Sequence, residues 1–393
     1  MPTLVLSLFA SLPAAAQTLA VGDPLSDYAR LRQLTGAAEV RSVGVRGATS
    51  PDVLDATGRG FDPWRAWIDA RRPAASDGVR LAPAGVLAGV NSARPWGVND
   101  GALWQGKGAN AAATAGVAVA WGRLSAEARP VAVWSQNSEF ALSPLAVPAG
   151  LSPYAYPTGT FQRIDLPQRF GDATVARVDA GHSFVRARVG PVAAGLSNEQ
   201  RWWGAGRRNS IILSDHAPGF GHAFVATDRP TDVRVGTLEA TWLWGRLRES
   251  SFFDARRDND LRFITGAAVS FRPKFAPTLE LGATRMFVQD WTAGGPGGRD
   301  LLLVFVPLEK RAAITPENPT GDDERDQLAS VFARWVFPQV GLELYGEWAR
   351  GDHSRDTRDL LTEPEHASAW QLGLQKVMRA DSLRIWRLAA ELT

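Results

Sequence analysis

From about Val79 onward, apolar and polar positions along the chain alternate with a period of two. Leu261, Phe263, Thr265, Ala267, Val269 and Phe271 interleave with Arg262, Ile264, Gly266, Ala268, Ser270 and Arg272. Leu279, Leu281 and Ala283 interleave with Glu280, Gly282 and Thr284, and Val331, Ala333, Trp335 and Phe337 with Ser330, Phe332, Arg334 and Val336. After Pro338-Gln339, Val340, Leu342, Leu344 and Trp348 interleave with Gly341, Glu343, Tyr345, Glu347 and Ala349. Successive side chains of a strand leave opposite faces, so one set here is apolar and the other carries Arg, Glu and Gly. A soluble sandwich alternates too, so the period predicts strands without choosing an architecture.

Strand length and connection length choose it. The alternating segments run about 10 residues, the length that crosses a bilayer at a tilt. Connections alternate between short (Arg272 to Pro277, Pro338-Gln339, Met378 to Ser382) and long (Asp290 to Asp326, Gly351 to Glu365). Outer-membrane barrels pair tight periplasmic turns with long external loops, whereas a sandwich has no reason to keep its long loops at one end. Trp242, Trp244, Phe252, Phe253, Phe287, Trp291 and Trp348 lie near strand ends, where an interfacial girdle is expected. The prediction is an all-β transmembrane barrel over residues 76–393, with a polar lumen and lipid around it.

Two segments precede the barrel. Leu4 to Ala10 has the apolar core of an export leader, and Ala14-Ala15-Ala16 supplies small residues for cleavage, so residues 1–16 are read as a signal peptide. No Lys or Arg occurs before Arg30, which departs from the usual leader. Residues 17–75 read as a small periplasmic helical module. Asp23-Pro24, Ser50-Pro51 and Asp62-Pro63 each place a capping side chain before a proline that tolerates the first helical turn. Leu25, Tyr28 and Leu31 then recur at helical spacing up to Gly36.

Composition narrows the chemistry. The 393 residues include 38 Gly and 15 Trp but no Cys, which excludes disulfides, thiolate metal sites and a Cys nucleophile. With 43 basic and 41 acidic side chains, there is no electrostatic case for nucleic acid. The five His show no paired metal spacing, so neither metal nor cofactor is expected. Gly204-Ala205-Gly206 lacks the third glycine of a dinucleotide loop, and His182-Ser183-Phe184 is not a nucleophile elbow. Glu343 and Glu347, on the polar face with Asp352 beyond, form the one carboxylate group to weigh for glycoside hydrolysis. Pairing with lumen arginines such as Arg334, Arg262 and Arg272 is the favoured reading, and no catalytic residue is assigned.

One stretch is distinctive. Asn198, Glu199, Arg201, Trp202, Trp203, Gly204, Gly206, Asn209, Ser210, Ile212, Leu213, Ser214 and Ala217 together resemble a motif of the capsule assembly Wzi family. Ala205 and His216 depart from it, standing where the family favours Pro and Asn. Asp165 to Gly171 and Leu344 to Asp352 are similar to two further family segments. The resemblance implies an eighteen-stranded outer-membrane barrel with helices at its periplasmic mouth. It also implies a lectin-like role without catalysis, retaining capsular or other exopolysaccharide at the cell surface; the oligomeric state stays open, with a monomer expected.

The residues suit sugar chemistry. Trp202 and Trp203 offer faces that stack on sugar rings, and Asn198, Glu199, Arg201, Asn209, Glu347 and Asp352 offer hydrogen bonds to hydroxyls or carboxylates. Gly204, Gly206, Ser210 and Ser214 are read as shaping the motif. The competing reading makes the aromatic pair internal packing of a plug or an interfacial belt. The competing function is a porin-like channel for polar or anionic solutes. Last, about fourteen candidate strands are counted, and Trp386 to Leu392 still alternates when the sequence stops. A barrel must close in lipid, so the chain is expected to lack the final strands of its family form.

Overall fold

The computed structural model describes the backbone of residues 4–8, and residues 21–22, 24–46, 77–145, 147, 150–156, 166–254, 256–291, 294–306, 325–351, 367–379 and 384–393. Helical segments expected after Ser50 and Asp62, and the candidate Asp352, lie outside the described residues. The first expected helix is present as α1 (Pro24–Leu34), which ends before Gly36 in a left-handed conformation (φ 71°).

The rest is strand. In chain order these are β1 (Leu4–Leu8), β2 (Val45–Arg46), β3 (Gly78–Asn91), β4 (Gly108–Trp121), β5 (Leu124–Ala128), β6 (Val131–Ser135) and β7 (Val175–Asp179). Then follow β8 (Phe184–Val189), β9 (Val192–Ser197), β10 (Trp202–Trp203), β11 (His222–Thr227), β12 (Thr231–Val233) and β13 (Gly236–Arg248). The last six are β14 (Leu261–Pro273), β15 (Leu279–Asp290), β16 (Asp326–Phe337), β17 (Leu342–Gly351), β18 (Ser368–Arg379) and β19 (Ile385–Leu392). Among the described residues they form one 17-stranded sheet, with β2 and β10 as a separate pair.

The count exceeds the expected fourteen because three crossings are each interrupted, one of them β11 and β12, which both pair with β13 on either side of Asp228 to Pro230. β5 and β6 both pair with β4, and they break at Arg129-Pro130, where proline offers no N–H to the ladder. β7 and β8 pair with β6 and β5 respectively and break at Ala180 to Ser183. From β13 to β19 the antiparallel register runs unbroken between neighbours.

The expected facing holds residue by residue. Val331, Trp335, Leu344, Leu372 and Leu388 are exposed on the outer surface, as a lipid-facing band requires. Arg334, Glu343 and Val336 are fully buried on the inner one. Of the expected girdle, Trp348 packs with Trp370 at the long-loop end (centroids 5.8 Å apart). Phe252 instead joins a loop cluster with Tyr154 and Phe170. Phe287 is sealed under a 3-10 helix (Asp300–Phe305) that lies on the outer wall. That helix also covers Arg285, which faces outward, donates to Val304 O at 3.2 Å and also bonds the Val306 carbonyl. An arginine on this face is tolerable only when its donors are satisfied.

Leu4–Leu8, expected within a leader, runs antiparallel to β3 from Leu4 opposite Val90 to Leu8 opposite Val86. A short apolar run whose backbone groups need partners is satisfied along a strand as readily as it is exported.

Candidate functional site

Two segments of the chain enter the barrel and meet inside it. α1 sits at the short-turn end, where Leu31, Leu34 and Val40 pack on Val336 and Val377. The chain then rises into the lumen and forms β2, which pairs with β10: Trp202 lies opposite Arg46, and Trp203 opposite Val45. The second segment, residues 198–221 between β9 and β11, contains the distinctive motif. It is tied at its start to the break between β7 and β8 through Asn198 N to Ser183 O (2.8 Å), and further on to the β3–β4 loop through Gly101 N to Asp215 O (2.9 Å).

Lumen charges lock both segments. Glu280 on β15 accepts from Val43 N (3.1 Å), Gly44 N (3.0 Å) and the Ser42 hydroxyl (2.6 Å). Arg334 reaches Glu343 at 2.8 Å and Glu280 at 3.8 Å, and donates to Arg41 O. Arg30 of α1 donates to the same Glu343 and also to Ala205 O (2.9 Å) and Gly206 O (3.1 Å). Buried charges of this kind are tolerated because each is paired and hydrogen-bonded. Glu391 on β19 accepts the backbone N–H groups of Arg207 (2.7 Å) and Asn209 (2.8 Å) and the Tyr345 hydroxyl (2.6 Å). Asp27 bridges Arg207 and Arg387 at 2.9 and 2.5 Å. Burial alone would raise its carboxyl, but hydrogen bonds and charge from these two arginines outweigh it and hold it far below the usual range.

The motif residues fall into two groups. Trp202 (3% exposed) and Trp203 (0%) are sealed in the plug, the latter against Leu243, Ile264 and Met286. As placed, they present no stacking face to a sugar in solution. Glu199 and Arg201 are buried with them: Glu199 accepts from Ser197 at 2.9 Å and lies 3.1 Å from His182 Nε2. Arg201 donates to His222 Nε2 at 3.1 Å and stacks over Phe224. Asn198 is half-buried, its amide 3.3 Å from Gly181 O. Asn209 is exposed, with its amide on the Thr393 hydroxyl at 3.1 Å.

Gly204 holds φ +124° with Glu347 directly against its Cα, so a side chain there would collide with that carboxylate. Gly206 passes equally close over Gln371. The Ser210 hydroxyl bonds the Trp203 carbonyl, and Ser214 accepts from His216 N at 3.2 Å. Glu347 is buried, with the Ser330 hydroxyl of the neighbouring strand as its polar neighbour. Glu343 and Glu347 thus differ: the first is saturated by Arg30, Arg334 and Gln375 (2.9 Å), the second is shut under Gly204. Arg262 and Arg272 pair elsewhere, with Asp290 (3.2 Å) and with the Val40 carbonyl.

Sequence reasoning missed the outer-mouth loops. There Trp104, Phe170, Phe252 and Tyr154 form a chain of edge-to-face rings. Asn137 pins this loop by donating to Phe170 O, Gly171 O and Ala173 O at 2.9–3.1 Å. Arg169 holds Asp172 at 2.9 Å, and Trp96 and Tyr156 are exposed. The only signal was the segment through Arg169-Phe170-Gly171.

Antiparallel spanning strands, an apolar outer band and a lumen filled by the chain itself define a plugged β-barrel of the outer-membrane kind. The chain belongs to the Wzi capsule assembly family: the family described as "Capsule assembly protein Wzi" matches residues 84–385, well over half of it. Among solved structures it is similar to Wzi of Escherichia coli, described as an outer membrane protein involved in group 1 capsule assembly and a carbohydrate-binding β-barrel. That likeness has 13% identity and a TM-score of 0.60, over 95% of this chain and 71% of that one, and it shows the fold. OccK10 (OpdN) of Pseudomonas aeruginosa aligns at 11% identity over 80% of this chain and 83% of its own, with a TM-score of 0.29. The outer membrane channel DcaP of Acinetobacter baumannii aligns at 11% over 77% and 88%, also with a TM-score of 0.29. At that score neither supports an argument. No curated protein matches the chain by sequence.

Proposed function

We propose that this barrel binds capsular or other exopolysaccharide and retains it at the cell surface, without catalysis. Family membership supplies the class of partner. The observation that carries the mode of action is the occupied lumen: α1, β2 and residues 198–221 fill the path a porin would leave open. The motif's role is then structural. Trp202, Trp203, Glu199 and Arg201 build the plug, and the plug and wall position the loops of the outer mouth. Sugar contact falls to exposed rings such as Trp96 and Tyr156, which supply stacking faces, and to neighbouring polar side chains. Residues 1–16 serve as the leader, so that β1 belongs to the wall only before cleavage, residues 17–75 serve as the periplasmic module of this scheme, and the barrel acts as a monomer.

Retention of the detergent-purified full chain on immobilised acidic capsular polysaccharide tests the proposal. Binding competed by free polysaccharide, and weakened in a Trp96→Ala/Tyr156→Ala double variant that still folds, is expected. Elution identical to that from the bare matrix would overturn it.

A further inference from the structure

The outer wall carries a feature that polysaccharide binding does not use. On that face, Val185, Leu196, Ala223 and Trp244 stand side by side across β8, β9, β11 and β13. Val185 and Leu196 are 60% and 66% exposed, as lipid-facing residues are, while Ala223 between Leu196 and Trp244 is small. The loop after β15 folds down beside this row: Trp244 Nε1 donates to Leu301 O at 2.9 Å, which pins the 3-10 helix to the wall. The result is a groove of about 690 Å³, bounded by Trp244, Trp291 and Leu301 and open along its length. A second groove of about 660 Å³, nearly all apolar, lies towards the short-turn end of the Trp242–Trp244 ridge beneath Phe305.

At the long-loop rim of the first groove stands Arg246. It follows Trp242 and Trp244 on the outward face of β13 and is exposed, and no carboxylate among the described residues pairs with it. The other charges at this rim largely neutralise one another. Arg262 lies 3.2 Å from Asp290 and 3.5 Å from Glu249, and Arg248 lies 3.9 Å from Asp260. A guanidinium left over at the edge of a bilayer-facing apolar groove fits a headgroup phosphate, with acyl chain below.

We propose that these grooves and Arg246 form a site for one phosphorylated, acylated lipid of the outer leaflet. The occupant is a lipid because the groove floor is continuous with the membrane-facing band, and an anionic one because the rim cation has no carboxylate partner among the described residues. The site rests on the barrel spanning a membrane and is independent of polysaccharide binding.

The test uses the full chain, delipidated in detergent and incubated with lipid A, dephosphorylated lipid A or inorganic phosphate, and read by native mass spectrometry. One lipid A retained per barrel is expected, with dephosphorylated lipid A and Arg246→Gln each about tenfold weaker. Ala223→Trp, which fills the groove, should abolish retention, while heat-modifiable gel mobility shows that both variants fold. Equal retention by wild type and both variants would refute the site. So would equal retention of the two lipids, or phosphate binding that competes fully with lipid A. Polysaccharide retention by Arg246→Gln should be unchanged.

Discussion

Arg30 of α1 donates through Nε to Glu343 Oε1 at 2.8 Å, joining residues 313 positions apart in the sequence at the short-turn mouth of the barrel. The carboxylate it meets is already held by Arg334 at 2.8 Å, so one acid couples α1 to the wall. Removing Arg30 leaves Glu343 with Arg334 and Gln375 but deletes the charge-assisted bonds that tie α1 to it, a loss of about 1.5–3 kcal/mol. Arg30→Ala should therefore release the N-terminal segment while leaving the strands intact. Limited proteolysis of folded barrel would show new cleavage within residues 21–46. Unchanged cleavage would mean that apolar packing of Leu34 on Val336 suffices.

Plug loss should change conductance. In planar bilayers the wild-type barrel is expected to show little steady current, and Arg30→Ala to open intermittently. A large stable wild-type conductance would favour the channel reading.

Trp203 tests the meaning of the motif. Its indole is buried against Leu243 and Ile264, and it leaves no room for a side chain on Gly266. Trp203→Ala should cost about 3–5 kcal/mol of stability, seen as a lower unfolding temperature. At a temperature where the variant is fully folded, its polysaccharide affinity should equal wild type. Affinity lost without any change in melting would restore a direct sugar contact.

Gly204→Ala should be disruptive despite its small size. The residue sits at φ +124°, where an L side chain is strained by about 1–3 kcal/mol, and its added methyl would press on Glu347. A Gly204→Ala/Glu347→Ala double variant should recover part of the lost melting temperature. No recovery would show that backbone strain alone accounts for the effect.

Acid sensitivity at the helix follows from Asp27. Its folded pKa lies below the unfolded value of about 3.9, so its stabilisation is fully present above that value. The contribution is lost as pH falls through the lower, folded value. The gap in melting temperature between wild type and Asp27→Asn should stay constant from about pH 7 to 5 and shrink below about 4. A gap already closed at pH 5 would place the aspartate outside the Arg207–Arg387 pair.

Much of the wall was legible because a strand's facing is a local property. Once Leu344 is outward, Glu343 and Tyr345 must be inward, and Arg334 on the neighbouring strand follows from the same parity. Loop asymmetry then distinguished a membrane barrel from a sandwich. Destination was not legible. Whether Trp202 and Trp203 face sugar or core depends on where residues 198–221 travel, and that is set by distant partners: Arg30, Val45, Glu391. Arg285 shows the same limit. Its alternation assigns it to lipid, and only the 3-10 helix some fifteen residues later in the chain explains why that is tolerable. The break between β5 and β6 could have been read from Pro130, since a central strand cannot use a residue without an N–H.

Surface retention itself is the most direct measurement. In an encapsulated cell carrying this chain, polysaccharide is quantified in the cell-bound and released fractions, with and without the gene. Loss of the chain should shift polysaccharide from cell-bound to released without reducing the total, and re-expression should reverse the shift. An unchanged cell-bound fraction would contradict the account.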